Sequence, residues 1–234
     1  MPSTPFVIVG NWKSNKTIDE AIHWFQDFSV LWTKQPIVTE QIKIILCPAF
    51  IHLTQLTSFI DSHHLPIALG AQDVSPYESG TYTGGISAEM LKRLVSYSLV
   101  GHSERRQHFH EQEAELIKKV ERLRKAGIEP IYCIQKPDQE IPQGCNLVAY
   151  EPVWAIRRGD PYATKPESAE NANQIASQLK QKYGTNLKII YGGSTNPDNV
   201  ASYVKQEFLD GILPGGASLK ADTFYHLIRN ASGN

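Results

Sequence analysis

Glu151 directly follows a short apolar run, Leu147-Val148-Ala149-Tyr150, and precedes Pro152-Val153-Trp154. A carboxylate at the end of a buried strand, beside a large aromatic, is a candidate general base. Burial disfavours its charged form and makes it a better proton acceptor near neutrality. His102 stands in Gly101-His102-Ser103-Glu104-Arg105-Arg106, where an apolar run gives way to a helix start. There the positive helix end keeps an imidazole neutral and able to donate a hydrogen bond. Asn11 and Lys13, in Gly10-Asn11-Trp12-Lys13, offer an amide and a cation. Two glycine pairs, Gly192-Gly193 before Ser194 and Gly215-Gly216 before Ala217, let backbone amides approach an anion closely. Taken singly, each also reads as an ordinary feature: a surface carboxylate, a structural histidine, a loop lysine, a turn. Together they suit proton transfer next to a carbonyl on a small phosphorylated substrate. Ser103, Glu104 and Arg105 read as supporting partners rather than reactants.

These groups need a scaffold that gathers strand ends. Eight apolar runs are strand candidates: Phe6 to Gly10, Ile42 to Leu46, Ile67 to Gly70, Ser98 to Gly101, Ile128 to Cys133, Leu147 to Tyr150, Leu187 to Tyr191 and Asp210 to Leu213. Most are continuous rather than alternating, as in parallel strands covered on both faces. Helical patterns lie between most of them. Asp19 to Trp32 carries Ile22, Phe25, Phe28 and Leu31 on one stripe. Glu113 to Lys125 carries Leu116, Val120 and Leu123, with Gly127 as a stop. Glu167 to Tyr183 repeats the pattern with Ala172, Ile175, Ala176 and Leu179, and Asn196-Pro197-Asp198 and Ala221-Asp222 open two more helices. The alternation predicts an α/β fold, a (β/α)8 barrel formed by one domain over residues 1–234. A doubly wound open sheet is the runner-up, weakened by the missing Gly-x-Gly-x-x-Gly after the first strand. The crossover from strand five to strand six, Gln135 to Asn146, is short. It carries Pro137, Pro142 and Gly144, so it is expected to lack a full helix.

Composition narrows the class. The chain has 234 residues, a formal net charge of −1 and no run of like charges, which argues against nucleic acid or an anionic membrane as partner. Cys47, Cys133 and Cys145 show no metal spacing and read as reduced thiols of a cytoplasmic protein. The eight histidines are dispersed, with no His-Glu-x-x-His pattern. No signal peptide or membrane span is legible.

Several strings, taken in order, carry a resemblance: NWK at 11–13, TGGIS at 83–87, GHSERR at 101–106, AYEPVWAI at 149–156, YGGS at 191–194 and GGASL at 215–219. Over nearly its whole length the chain resembles the triosephosphate isomerase family, whose fold is the TIM barrel. The resemblance implies interconversion of dihydroxyacetone phosphate and D-glyceraldehyde 3-phosphate through an enediolate, in glycolysis and gluconeogenesis. It implies Glu151 as the base and His102 as the neutral group polarising the carbonyl. Lys13 and Asn11 would hold substrate charge and orientation, and Ser194, Gly215 and Gly216 the phosphate. No cofactor or metal is implied. A lid beginning at Pro152-Val153-Trp154 and a homodimer formed through the 75–85 loop, with Thr83 at its tip, are also implied.

The chain departs from the family pattern at named places. The lid reads Ile156-Arg157-Arg158-Gly159-Asp160-Pro161 in place of Ile-Gly-Thr-Gly-Lys. Gly85 replaces a glutamate of the dimer loop, Asp73 an asparagine and Lys136 a glutamate, and Pro214 precedes the last glycine pair. None removes a reacting group. Two other readings remain open at this stage. One is a weakly active or non-catalytic relative that binds a phosphate ligand or a partner. The other is an isomerase of a related phosphorylated sugar.

Overall fold

The computed structural model describes residues 4–152 and 167–233. All eight predicted strands are present: β1 (Phe6–Asn11), β2 (Ile42–Cys47), β3 (Ile67–Ala71), β4 (Tyr97–Val100), β5 (Glu129–Ile134), β6 (Leu147–Tyr150), β7 (Lys188–Tyr191) and β8 (Gly211–Ile212). Each pairs in parallel with the next, and β8 pairs with β1, so the sheet is a closed barrel rather than an open doubly wound one. β8 is shorter than expected because only two residues keep strand geometry, but flanking bonds extend its hold on β7. Asp210 N donates to Ile189 O at 2.8 Å and Leu213 N to Tyr191 O at 2.7 Å.

The continuous apolar runs have a plain reason. Val7, Val9, Ile45, Leu99, Ile131, Leu147, Ala149, Ile190 and Leu213 fill the barrel interior. Their strand neighbours Ile8, Ile44, Leu46, Tyr132, Val148, Ile189 and Ile212 face the surrounding helices. Both faces of each strand are therefore covered.

The helices are α1 (Ile18–Lys34), α2 (Leu53–His63), α3 (Ala88–Leu91), α4 (Ser103–His108), α5 (Glu113–Ala126), α6 (Ala169–Tyr183), α7 (Val200–Val204) and α8 (Ala221–Ala231). α1 starts at a capping box, in which Thr17 accepts from Glu20 N and the Glu20 side chain accepts from Thr17 N. Its buried face is Ala21, Trp24, Phe25 and Phe28, rotated from the predicted stripe, so Ile22 and Leu31 lie at the margin. Trp24 decides the rotation. It stacks on Phe28 with centroids 5.1 Å apart and meets Trp12 edge-on at 5.2 Å, a geometry aromatic quadrupoles favour. Both indoles donate to Ser218 O, at 3.0 Å from Trp12 and 3.1 Å from Trp24, which ties the turn after β8 to the start of the chain.

The β5–β6 crossover holds no helix, as its prolines predict. It is packed all the same. Gln139 Oε1 accepts from Lys136 N, Glu140 bonds Lys182 and Tyr183, and Ile141 and Cys145 are buried. Among the described residues, no helix is long and apolar enough to cross a membrane.

His52, in the 3-10 turn Phe50–His52, is 1% exposed and neither ring nitrogen has a hydrogen-bond partner. Trp12 lies edge-on to its ring at 6.0 Å, and the charged group acting on it is Lys16. Burial holds the imidazole below its ordinary value, opposed by the nearby Lys16 backbone and aided less strongly by the Lys16 charge. A group depressed in the folded state contributes stability that is full above its unfolded value and lost as pH falls through the folded one. The melting midpoint is therefore expected to drop by a few degrees as pH falls below about 6.5. His52→Phe removes that component. Superimposable midpoint-versus-pH curves for the two proteins would contradict the assignment.

Candidate active site

The C-terminal ends of β1, β4, β6, β7 and β8 bring the predicted residues to one mouth. Glu151 follows β6 and is held from both sides: its N–H donates to Ile134 O at 2.7 Å, and its Oε2 accepts from Ser103 N at 2.8 Å. The side chain is fully buried. Oε1 lies 3.1 Å from His102 Nε2, without the angles of a hydrogen bond.

His102 caps α4. Its Nδ1 accepts from Glu104 N at 3.3 Å, which requires that nitrogen to be unprotonated. The single proton of the neutral ring then sits on Nε2, the nitrogen facing Glu151. The turn before it needs Gly101, whose φ is 68°, and Arg106 clamps that turn by donating to Gly101 O at 2.7 Å and Cys133 O at 3.2 Å. Cys133 lies inside the barrel near Glu151. Its thiol is pushed well above the ordinary range, by burial first and by the Glu151 charge second, so it stays neutral there.

Lys13 adopts φ 54°, uncommon for a residue with a side chain. Asn11 Oδ1 accepts from Lys13 N at 3.0 Å, and Gln72 Nε2 donates to Lys13 O at 2.8 Å. The ammonium meets Glu104 Oε1 at 2.5 Å. Asn11 thus contacts Lys13 directly, Glu104 its ammonium, and Ser103 N the Glu151 carboxylate.

The glycine pairs have a more specific cause than freedom of φ. A Cβ on Gly192 would lie 2.7 Å from Glu151 Cγ, and one on Gly193 2.0 Å from the Tyr191 hydroxyl. The first glycine makes room for the carboxylate and the second for a tyrosine. Tyr191 stacks on Tyr203, and their hydroxyls bracket Glu167: Glu167 N donates to Tyr191 at 3.0 Å and Tyr203 donates to Glu167 O at 2.8 Å. Gly215 and Gly216 begin the turn after β8. A Cβ on Gly215 would sit 3.3 Å from Lys13 Cε, so this turn adjoins the lysine. The Gly215 and Gly216 amides donate to no other group among the described residues. Two N–H groups beside an ammonium can receive an anion.

Gln72, Cys133 and Tyr191 were not singled out from sequence as site residues. Gln72 directly follows β3, and that position was the available signal. The lid residues Val153 to Pro161, including Trp154, Arg157 and Arg158, lie outside the described residues. Among the described residues, no group of three or more His, Cys, Asp or Glu side chains is placed to hold a metal ion.

Comparison with known proteins places this arrangement. The family model described as triosephosphate isomerase matches residues 6–147 and 141–231, two stretches that meet at the shortened β5–β6 crossover. The chain is 32% identical to triosephosphate isomerase of Mesomycoplasma hyopneumoniae (strain 232), over 96% of this chain and 99% of that protein. It is 34% identical to that of Dehalococcoides mccartyi (strain ATCC BAA-2100 / JCM 16839 / KCTC 5957 / BAV1), over 97% and 96%. It is 35% identical to that of Mycoplasmopsis pulmonis (strain UAB CTIP), over 95% and 96%. With a closed eight-stranded barrel and similarity running from end to end, the chain belongs to the triosephosphate isomerase family.

Proposed function

We infer that this chain is a working triose-phosphate isomerase, interconverting dihydroxyacetone phosphate and D-glyceraldehyde 3-phosphate. The observation that carries this reading is the opposition of Glu151 and the Nε2–H face of His102 at 3.1 Å, with Lys13 beside the Gly215-Gly216 turn. The Glu151 carboxylate takes a proton from the carbon next to the substrate carbonyl. The C–H electron pair forms the carbon–carbon double bond, and the carbonyl π pair moves to oxygen. His102 Nε2–H donates to that oxygen, and Lys13 offsets the developing negative charge. With His102 passing the hydroxyl proton from the first enediolate oxygen to the second, return of the abstracted proton to the neighbouring carbon completes the isomerisation. Glu151 is buried and tied to Ser103 N, so it reaches a substrate carbon by turning away from that amide. Lys13, Asn11, Ser194, Gly215 and Gly216 are the groups proposed to bind substrate, the last three at the phosphate. No cofactor or metal takes part in this scheme.

The reading extends to a one-domain cytoplasmic enzyme of glycolysis and gluconeogenesis that acts on neither nucleic acid nor membranes. It also extends to a homodimer. The 75–85 loop is closed at its base by Ser75 N donating to Ile86 O at 2.7 Å. Tyr77 and Tyr82 stack at 4.2 Å, and both are more than 40% exposed, as is nearby Met90. A preformed loop showing this much apolar surface, with Thr83 at its tip, suits insertion into a second copy.

Two measurements test these statements. A coupled assay on the pure full chain is expected to show interconversion of the two triose phosphates, with Glu151→Gln losing on the order of 10²–10⁴ in kcat. Wild-type activity no higher than that of Glu151→Gln would overturn this reading and leave a phosphate-binding relative or an isomerase of a related phosphorylated sugar. Sedimentation velocity is expected to show a dimer at micromolar concentration, and a fully active monomer would contradict the proposed use of the loop.

A further inference from the structure

Lys13 is held at both ends by neighbours that are themselves joined. Its carbonyl accepts from Gln72 and its ammonium meets Glu104. The next residues in the chain, Asp73 and Arg105, form an ion pair with Arg105 Nη2 2.8 Å from Asp73 Oδ2. These contacts close a ring: Lys13 backbone, Gln72, Asp73, Arg105, Glu104, Lys13 side chain. We propose that the Asp73–Arg105 pair is a positioning element for Lys13, locking the loop after β3 to the start of α4. The proposal rests on the reading that Lys13 carries substrate charge.

Three observations support it. First, Lys13 sits at φ 54°, a conformation that persists when its surroundings over-determine it. Asn11 fixes its N–H, Gln72 its carbonyl and Glu104 its ammonium, and two of these three supports stand directly beside the pair. Second, the pair is sheltered, with side chains 27% exposed for Arg105 and 13% for Asp73, so solvent screens it less than a surface contact. Third, it is braced. Arg105 Nε meets Glu111 Oε1 at 2.7 Å, and Lys119 Nζ meets Asp73 Oδ1 at 2.6 Å and Glu111 Oε1 at 2.5 Å. Burial pushes the Asp73 carboxyl up and Glu111 adds repulsion, while Lys119 and Arg105 oppose both.

Lys119, on α5, joins Asp73 and Glu111 without Arg105, so the link from helix to barrel and the ring around Lys13 can be separated. Arg105→Gln opens the ring and leaves Asp73–Lys119–Glu111 in place.

The test is steady-state kinetics on the full chain, well below the melting transition, for wild type, Arg105→Gln, Glu104→Gln and the double variant. Arg105→Gln is expected to lower kcat/KM roughly tenfold, with a rise in KM, while its melting midpoint stays near that of wild type. The double variant is expected to fall no further than Glu104→Gln alone, within about twofold, because the ring is already open. Arg105→Gln kinetics within about twofold of wild type, or losses that multiply in full in the double variant, would overturn the proposal. If Arg105→Gln does not fold, Asp73→Asn is measured with the same partner variant and the same criteria. An inactive wild type would instead overturn the isomerase reading, and the proposal with it.

Discussion

The barrel closes through an approach that no side chain would permit. A Cβ at position 211 would lie 2.1 Å from Val7 O and 2.8 Å from Ile190 Cγ2, so β8 fits between β1 and β7 only with glycine there. Once that seam is shut, the pleat decides everything above it. Val7 and Val9 point into the barrel from β1, and Leu147 and Ala149 from β6. Two residues further on, the same parity carries Asn11 and Glu151 to the same mouth. A one-residue slip would turn Glu151 toward the helices. Glu151 and Asn11 therefore share one mouth because every strand keeps its register around a closed sheet.

Much of this was legible in the sequence, for physical reasons. Parallel strands covered on both faces leave continuous apolar runs, and eight such runs separated by helical periodicity allow few folds. The polar residues ending those runs, Asn11, His102 and Glu151, stand out because nothing in a buried strand calls for them. Boundaries were less legible. Nothing in the run Asp210 to Leu213 tells that only Gly211–Ile212 keeps strand geometry. The face of α1 was misjudged because both Ile22 and Trp24 are large and apolar, and the choice is made by Trp12 and Phe224, which pack on Trp24 from elsewhere in the chain. Nothing in the sequence marks Lys119 as a core residue. It is buried because Asp73 and Glu111, distant in sequence or on another element, meet it there.

The glycines show how a sequence signal can have a further, three-dimensional cause. Both pairs sit at the mouth, as phosphate cradles do, yet none of the four has a positive φ. Gly192 and Gly193 are small because Glu151 Cγ and the Tyr191 hydroxyl occupy the space that a Cβ would need. Such constraints are three-dimensional, and composition cannot express them. The same Tyr191 hydroxyl accepts from Glu167 N. Crowding at Gly193 and the hold on the chain at Glu167 thus share one atom.

The β5–β6 crossover separates what the site requires from what the fold usually supplies. Its twelve residues, 135–146, form no helix, yet β5 and β6 keep four register pairs, from Ile131↔Leu147 to Ile134↔Tyr150. Glu151 N still reaches Ile134 O, and Gly192 N still reaches Tyr150 O, both at 2.7 Å. Glu151 is positioned by its two neighbouring strands and by the first turn of α4, through Ser103 N. The outer layer after β5 contributes burial, and Ile141 and Cys145 supply it from a loop. A barrel can therefore lose a helix on one side without disturbing the mouth, provided the replacement covers the apolar outer face of the strands and leaves their ladder bonds unbroken. Buried ladder bonds are costly to leave unpaired, so register tolerates such a loss better than the surface does.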